Sequence, residues 1–303
     1  MSSMVVELFN WHHLTLFLTT LGIVALVCVI FAVFLRKKSK WISWTAILIL
    51  LATGFIFHFL RLAWPPPNAT WPSSLAYVLP ISICGFNTLV FPLIFFSKKK
   101  YLRDYMFYVG VFSGFLAMLT PTNVLESQIP AWHFEAIRYY IAHGILVVAP
   151  LLMVLCGHHK LNWRRVWAPG WLLVGVTFVI LINDVILYAT GIYDGGFVEL
   201  FDRNSRNVGM IYGPADNAGF WGDALRFFSP RFLRRAPFDN GLVAAGETFY
   251  WPVLWVVIPG VIYMTIGCFL VSLIFDFRTF KQDMQSTWRK IFRKKSIQKS
   301  IDN

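Results

Sequence analysis

The residues of this chain with chemical reach lie inside apolar runs. Cys84 sits in the stretch 74–96, SLAYVLPISICGFNTLVFPLIFF, with Pro80 one turn before it and Asn87 three residues after. On a helix these three share a face. His143 follows 59 residues after Cys84, in RYYIAHGILVVAP, which opens on Arg138. Asn183 and Asp184 lie in a later apolar run, and His58 and Arg61 in an earlier one. A thiol is a weak nucleophile near its ordinary pKa of ~8.5 and a strong one as thiolate, and a nearby imidazole can take its proton. A third group must fix the imidazole tautomer, and Asn183 or Asp184 suits that task. Such a dyad attacks acyl esters and forms a thioester. Each residue also has a plainer use. A cysteine in an apolar helix is ordinarily a small packing residue, and a lone histidine ordinarily makes one interhelical hydrogen bond. Asp184 buried alone would be costly, so a partner is expected among His143, Arg138 and Arg61.

The elements that position these residues follow from composition. The chain has 303 residues, 57% hydrophobic and 14% charged, with mean hydropathy +0.60. That balance excludes a soluble domain and gives an all-α, polytopic membrane helix bundle. Many of the 13 Trp stand near the ends of apolar runs, as interfacial rings do. A net charge of +12 would suggest nucleic acid in a soluble protein. Here the basic residues sit in short loops, which points to orientation and to anionic lipid headgroups, not to nucleic acid. The four cysteines fall inside or at the edge of apolar runs, so no disulfide framework, metal site or cofactor is expected. His158 and His159 are adjacent with no third ligand near.

Seven spans are expected, at 14–35, 41–62, 74–96, 104–119, 134–156, 169–190 and 249–275, each about twenty residues long as a ~30 Å core requires. Most of the 27 basic residues follow the odd-numbered spans: Arg36, Lys37, Lys38 and Lys40; Lys98, Lys99, Lys100 and Arg103; Lys160, Arg164 and Arg165; and the tail 276–303. The loops after spans two and four carry none. This alternation puts the N-terminus outside and the C-terminus in the cytoplasm of a multi-pass cell-membrane protein, a plasma-membrane protein if bacterial. Residues 1–275 form the membrane domain and 276–303 a basic cytoplasmic tail. The outward loop 191–248 should carry one or two short amphipathic helices, either as a lid or as a connector resting on lipid.

With this orientation Cys84 and His143 lie ten and nine residues from the outer ends of their spans, roughly 14 Å deep at 1.5 Å per residue. Asn183, Asp184, His58, Arg61 and Arg138 fall in the same half. At that depth the available ester is a phospholipid acyl chain, and scarce water lets another lipid hydroxyl compete as acceptor.

The run LPISICGFNTLVFPL, the RYYIAHGILVVAP segment and INDVILYATGIY resemble the bacterial YwaF-like integral membrane family, related to the transmembrane protein 164 acyltransferases. The resemblance covers roughly residues 10–190 and the last span. It implies Cys84 as nucleophile and His143 as base, with Asn183 and Tyr188 in a polar sixth-span motif. The chain departs from the pattern at Ser82-Ile83, where a His-Leu pair is expected, and in its long 191–248 loop.

The expected activity is an acyltransferase moving fatty acyl groups between lipids through Cys84 and His143. Asn87, Asn183, Asp184, Tyr188, Arg138, His58 and Arg61 are supporting residues, and membrane phospholipids are the substrates. A hydrolase with water as acceptor is a variant of this reading. The alternative is a non-enzymatic membrane carrier or small-solute or lipid-binding protein using the same polar pocket, against which the lack of a repeat or broken helix pair counts weakly.

Overall fold

The computed structural model describes residues 5–35, 39–65, 70–126, 128–193, 197–204, 207, 210–216, 218–239 and 242–301. Arg36, Lys37 and Lys38 fall outside them. Nine α-helices lie among the described residues: α1 Trp11–Ile30, α2 Lys40–Phe59, α3 Ile83–Phe96, α4 Lys100–Leu119, α5 Thr122–Glu126, α6 Phe134–Leu155, α7 Ala168–Ala189, α8 Gly219–Phe228 and α9 Leu254–Ile301. No strand occurs among the described residues, only the isolated bridges Val5–Pro130 and Arg235–Thr248. Six helical stretches are long and apolar enough to cross a membrane: Trp11–Phe34, Lys40–Leu62, Lys100–Leu119, Phe134–Leu155, Trp163–Ala189 and Leu254–Arg289. A helix suits that setting because all its backbone groups pair internally.

The expected third span is built differently. Its helix α3 has 14 residues, about 21 Å at 1.5 Å each, short of a ~30 Å core. It is preceded by a 3-10 helix over Ser73–Val78 and an extended Leu79. The cause is local. Pro80 disfavours helical geometry at Leu79 and cannot donate a backbone bond. Ser82 then takes an extended conformation and its Oγ accepts from the Gly85 amide at 3.0 Å, an N-cap that starts a new helix. Pro80 therefore lies outside α3 and shares no helical face with Cys84 and Asn87. Cys84 stands in the first turn of α3, not within a continuous span.

Helix α6 is the axis of the bundle. Within its span 78% of the most apolar window is buried, against 17% for α1, and α1, α2, α3 and α4 all pack on it. The α4–α6 contact is close because α4 offers Gly110 and Gly114 to it. A Cβ on Gly110 would stand 2.9 Å from the Leu146 carbonyl oxygen, and one on Gly114 2.8 Å from that of His143. Only hydrogen in place of a side chain allows the two backbones so near. Helices α7 and α9 pair with each other, and α7 also packs on α4.

The last span begins later than expected, at Leu254, and its helix continues through the basic tail to Ile301 with one non-helical residue at Asp276. The 191–248 loop carries the expected short helix, α8, which packs on α9; Tyr263 Oη donates to the Ala224 carbonyl at 2.8 Å. The loop also has a buried part that periodicity does not reveal. Ile211 and Tyr212 are 1% and 4% exposed and belong to the core. Val253 donates to the Ile211 carbonyl at 2.9 Å, and Trp255 Nε1 to the Met210 carbonyl at 2.9 Å.

Candidate active site

The Cys84 thiol is half-buried at the start of α3. Its hydrogen-bond partner is the Ser113 carbonyl of α4, a weak contact at 3.9 Å. The next residue of α4 is Gly114, against which the His143 carbonyl lies. Successive residues of α4 thus meet α3 at Cys84 and α6 at His143, so the two stand at one level of the bundle. No hydrogen bond joins the thiol to the imidazole. The neighbour that packs on the imidazole is Tyr139, whose ring lies 4.0 Å from the His143 ring by centroids. Tyr139 Oη donates to the Ala117 carbonyl at 2.9 Å, which fixes that ring on α4.

The His143 tautomer follows from its partner. Nδ1 lies 2.7 Å from the Tyr139 carbonyl oxygen. A carbonyl only accepts, so Nδ1 carries the hydrogen and Nε2 holds the lone pair. Nε2 has no hydrogen-bond partner among the described residues. Neither Asn183 nor Asp184 orients this ring; the carbonyl one turn back on its own helix does.

The start of α3 adds a second feature. Ser82 caps the Gly85 amide, while the Ile83 and Cys84 amides have no backbone partner among the described residues. Free amides and the positive end of the helix dipole are thereby next to the thiol, where anionic charge is favoured.

His58 and Arg61 hold the approach to this helix. His58 Nε2 donates to the Val78 carbonyl at 3.0 Å, and its Cε1 lies 3.5 Å from where a Cβ on Gly85 would be. Arg61 Nη1 donates to the Tyr77 carbonyl at 3.1 Å, and its guanidinium lies 4.7 Å from the Tyr77 ring centroid. Arg61 and Arg138 share one carboxylate, that of Glu135. Arg61 Nη2 donates to Oε1 at 2.8 Å; Arg138 donates to Oε2 and Oε1, both at 2.6 Å. Glu135 and Arg138 are 3% and 5% exposed. The triad carries net charge +1 and lies within electrostatic range of both His58 and His143. Glu135 is not among the residues expected from the sequence, although its i, i+3 spacing to Arg138 points to the pair.

The remaining expected residues divide. Asn87 is fully buried and accepts from Tyr105 Oη at 2.7 Å, tying α3 to α4. Asp184 does not pair with His143, Arg138 or Arg61. It accepts from Tyr212 Oη of the long loop at 3.2 Å. Asn183 leaves its buried Nδ2 without a partner. Tyr188 packs against Tyr193, with ring centroids 5.2 Å apart, in a cluster with Ala76 and Leu79 of the segment before α3. Tyr188 therefore borders the approach to Cys84, while Asp184 serves the loop. Among the described residues no group of acidic, His and Cys side chains is arranged to hold a metal ion.

A bundle of apolar helices around a buried polar layer defines a multi-pass helical membrane protein. The chain belongs to the TMEM164 family, whose model matches residues 8–200, from just before α1 to the 3-10 turn after α7. That match agrees with the resemblance carried by the Cys84, His143 and Asn183 segments; α8 and α9 lie beyond it. No curated protein and no solved structure matches the chain.

Proposed function

We propose that the protein is an acyltransferase that moves fatty acyl groups between membrane lipids through a thioester on Cys84, with His143 as base. The observation that carries this reading is the shared level of Cys84 and His143 on α4 at Ser113-Gly114, with the His143 lone pair left at Nε2. In the first half-reaction Nε2 takes the thiol proton and the thiolate attacks the ester carbonyl of a donor lipid. The carbon–oxygen bond breaks, and the imidazolium returns the proton to the departing lipid hydroxyl. In the second half an acceptor hydroxyl gives its proton to Nε2 and attacks the thioester; the carbon–sulfur bond breaks, and the imidazolium returns the proton to the departing Cys84 thiolate. The negative oxygen of each tetrahedral intermediate falls to the free Ile83 and Cys84 amides. For this step the thiol has to leave the Ser113 carbonyl, and the Tyr139 ring packed on His143 has to give way.

The deciding experiment incubates the purified protein in phospholipid vesicles and measures, by intact-protein mass, an acyl adduct that hydroxylamine removes. The expected adduct maps to Cys84 and is absent in Cys84→Ser and His143→Ala. Acyl transfer between lipids that persists in Cys84→Ala would overturn the reading and favour a lipid-binding or carrier role.

A further inference from the structure

At the far end of α3 from Cys84 the structure has a second polar site, which the chemistry above does not use. The turn between α3 and α4, the start of α4 and the connection between α6 and α7 border an open cavity of about 340 Å³, with Thr279 of α9 also lining it. Five cationic side chains line it, Lys98, Lys100, Arg103, Lys160 and Arg165, and no carboxylate does. We propose that this cavity binds a phosphate-bearing anion, a phosphomonoester in the first place, independently of the reaction at Cys84.

The two guanidiniums are preorganised. Arg103 Nη1 donates to the His158 carbonyl at 2.9 Å and Nη2 to the Phe95 carbonyl at 3.0 Å. Carbonyls fix its plane but do not neutralise its charge, and its Nε is buried without a partner. Arg165 is fixed by the Asp104 carboxylate behind it and by the Lys160 carbonyl at 2.9 Å. Asp104 is fully buried and also accepts from His159 at 2.8 Å. It lies outside the lining and offsets one charge of five. Among the described residues Lys98, Lys100 and Lys160 have no ion-pair partner. A loop that only orients a span needs its cations near the interface, but it does not need them convergent around a hollow with anchored guanidiniums. Neighbouring cations repel one another, and a dianion with three or four acceptor oxygens relieves that repulsion by accepting from the three lysine ammoniums and from the guanidinium N–H groups that the carbonyls and Asp104 leave over. The cavity exceeds one phosphate group, which leaves room for the group that carries it. That carrier is either a lipid whose headgroup enters from the bilayer or a soluble phosphate compound.

The experiment measures binding to the full chain in a neutral detergent. The probes are phosphatidic acid and phosphatidylglycerol in mixed micelles, and soluble pyrophosphate, each titrated at fixed ionic strength with melting temperature as readout. The comparison protein is Lys98→Gln/Lys160→Gln, whose substitutions leave the Arg103 and Arg165 anchors in place. Saturable stabilisation by phosphatidic acid, weakened about tenfold or more in the double variant, is expected. The same result with pyrophosphate and not with phosphatidic acid identifies a soluble source and also supports the site. Stabilisation equal in both proteins, equal for phosphatidylglycerol and phosphatidic acid, or absent for every probe would overturn it. Thioester formation at Cys84 is unchanged in the double variant, which separates this site from the proposed reaction.

Discussion

Cys84 and His143 meet consecutive residues of one helix: the thiol faces the Ser113 carbonyl at 3.9 Å, and the His143 carbonyl lies against Gly114. Helix α4 therefore touches both α3 and α6 at the site, beside the direct packing of α3 on α6. A Cβ at Gly114 would stand 2.8 Å from the His143 carbonyl oxygen and 2.8 Å from Val147 Cγ2. Backbone cannot yield there, so Gly114→Ala has to push α6 away. It should cost about 1–3 kcal/mol of stability and reduce thioester formation more than the stability loss explains. Ser113→Ala is the control. It removes a buried hydroxyl that has no partner and leaves the carbonyl, so it should be neutral in melting and in acylation. Equal effects from both substitutions would show that the close approach at Gly114 does not position the site.

If the imidazole generates the thiolate, Cys84 and His143 act as a unit and their losses do not add. His143→Ala should abolish adduct formation at neutral pH, with partial return toward pH 9 as the unassisted thiol ionises. Cys84→Ala/His143→Ala should be no slower in lipid acyl transfer than Cys84→Ala. Acylation assays of the three variants across pH 6–9 test this. Additive losses would mean two independent sites.

Much of the bundle was legible in the sequence because long apolar runs and flanking charge report spans directly. The start of α3 does not stand out in the apolar run, although its signals are local: Pro80, then Ser82 as a cap. An apolar run hides a break when its composition does not change across it. The partner of Asp184 was out of reach for another reason. Tyr212 is 28 residues away in an irregular loop, and no periodicity gives the register of such a segment. Arg61 and Arg138 have Glu135 as their carboxylate and not Asp184; its i, i+3 spacing to Arg138 is a local signal, whereas Arg61 lies 74 residues away from it.

The Asp184–Tyr212 bond fastens the long loop into the bundle, next to the Val253–Ile211 backbone bond and the bond from the Trp255 indole to the Met210 carbonyl. Tyr212→Phe leaves the carboxylate buried without its donor and should cost ~1–3 kcal/mol. Asp184→Asn keeps an acceptor and should cost less. Limited proteolysis within 191–248 reads the result: faster cleavage in Tyr212→Phe than in Asp184→Asn is expected. Identical cleavage of both variants and the parent would show that the bond does not hold the loop.

His158 lies at the basic end, where its Nε2 meets Ser43 Oγ at 2.8 Å. Burial, then the Lys40 and Arg103 cations, hold its pKa below the usual histidine value. The folded state therefore binds fewer protons at this ring than the unfolded chain does. The resulting stability is complete above the unfolded pKa of ~6.5 and is lost as pH falls below it. His158→Gln removes that dependence, so the drop in melting temperature between pH 7.5 and 5.5 should be smaller than in the parent. An unchanged drop would assign the acid sensitivity to other groups.

The Arg61–Glu135–Arg138 triad allows stability and positioning to be separated. Glu135→Gln leaves two buried arginine charges facing each other without a counter-charge, which should cost about 3–5 kcal/mol. Replacing all three residues by Met removes the charges together. Buried ion clusters exchanged for apolar side chains of similar volume are commonly neutral or stabilising, so the triple variant should melt close to the parent. It nevertheless loses the Arg61 bond to the Tyr77 carbonyl, which with the His58 bond to Val78 holds the 3-10 helix that leads to Cys84. Thioester formation should therefore fall in the triple variant although melting recovers. Melting and acyl-adduct measurements on the same preparations decide it. A triple variant that melts normally and acylates Cys84 at the parental rate would show that the triad only neutralises charge and does not position the helix start.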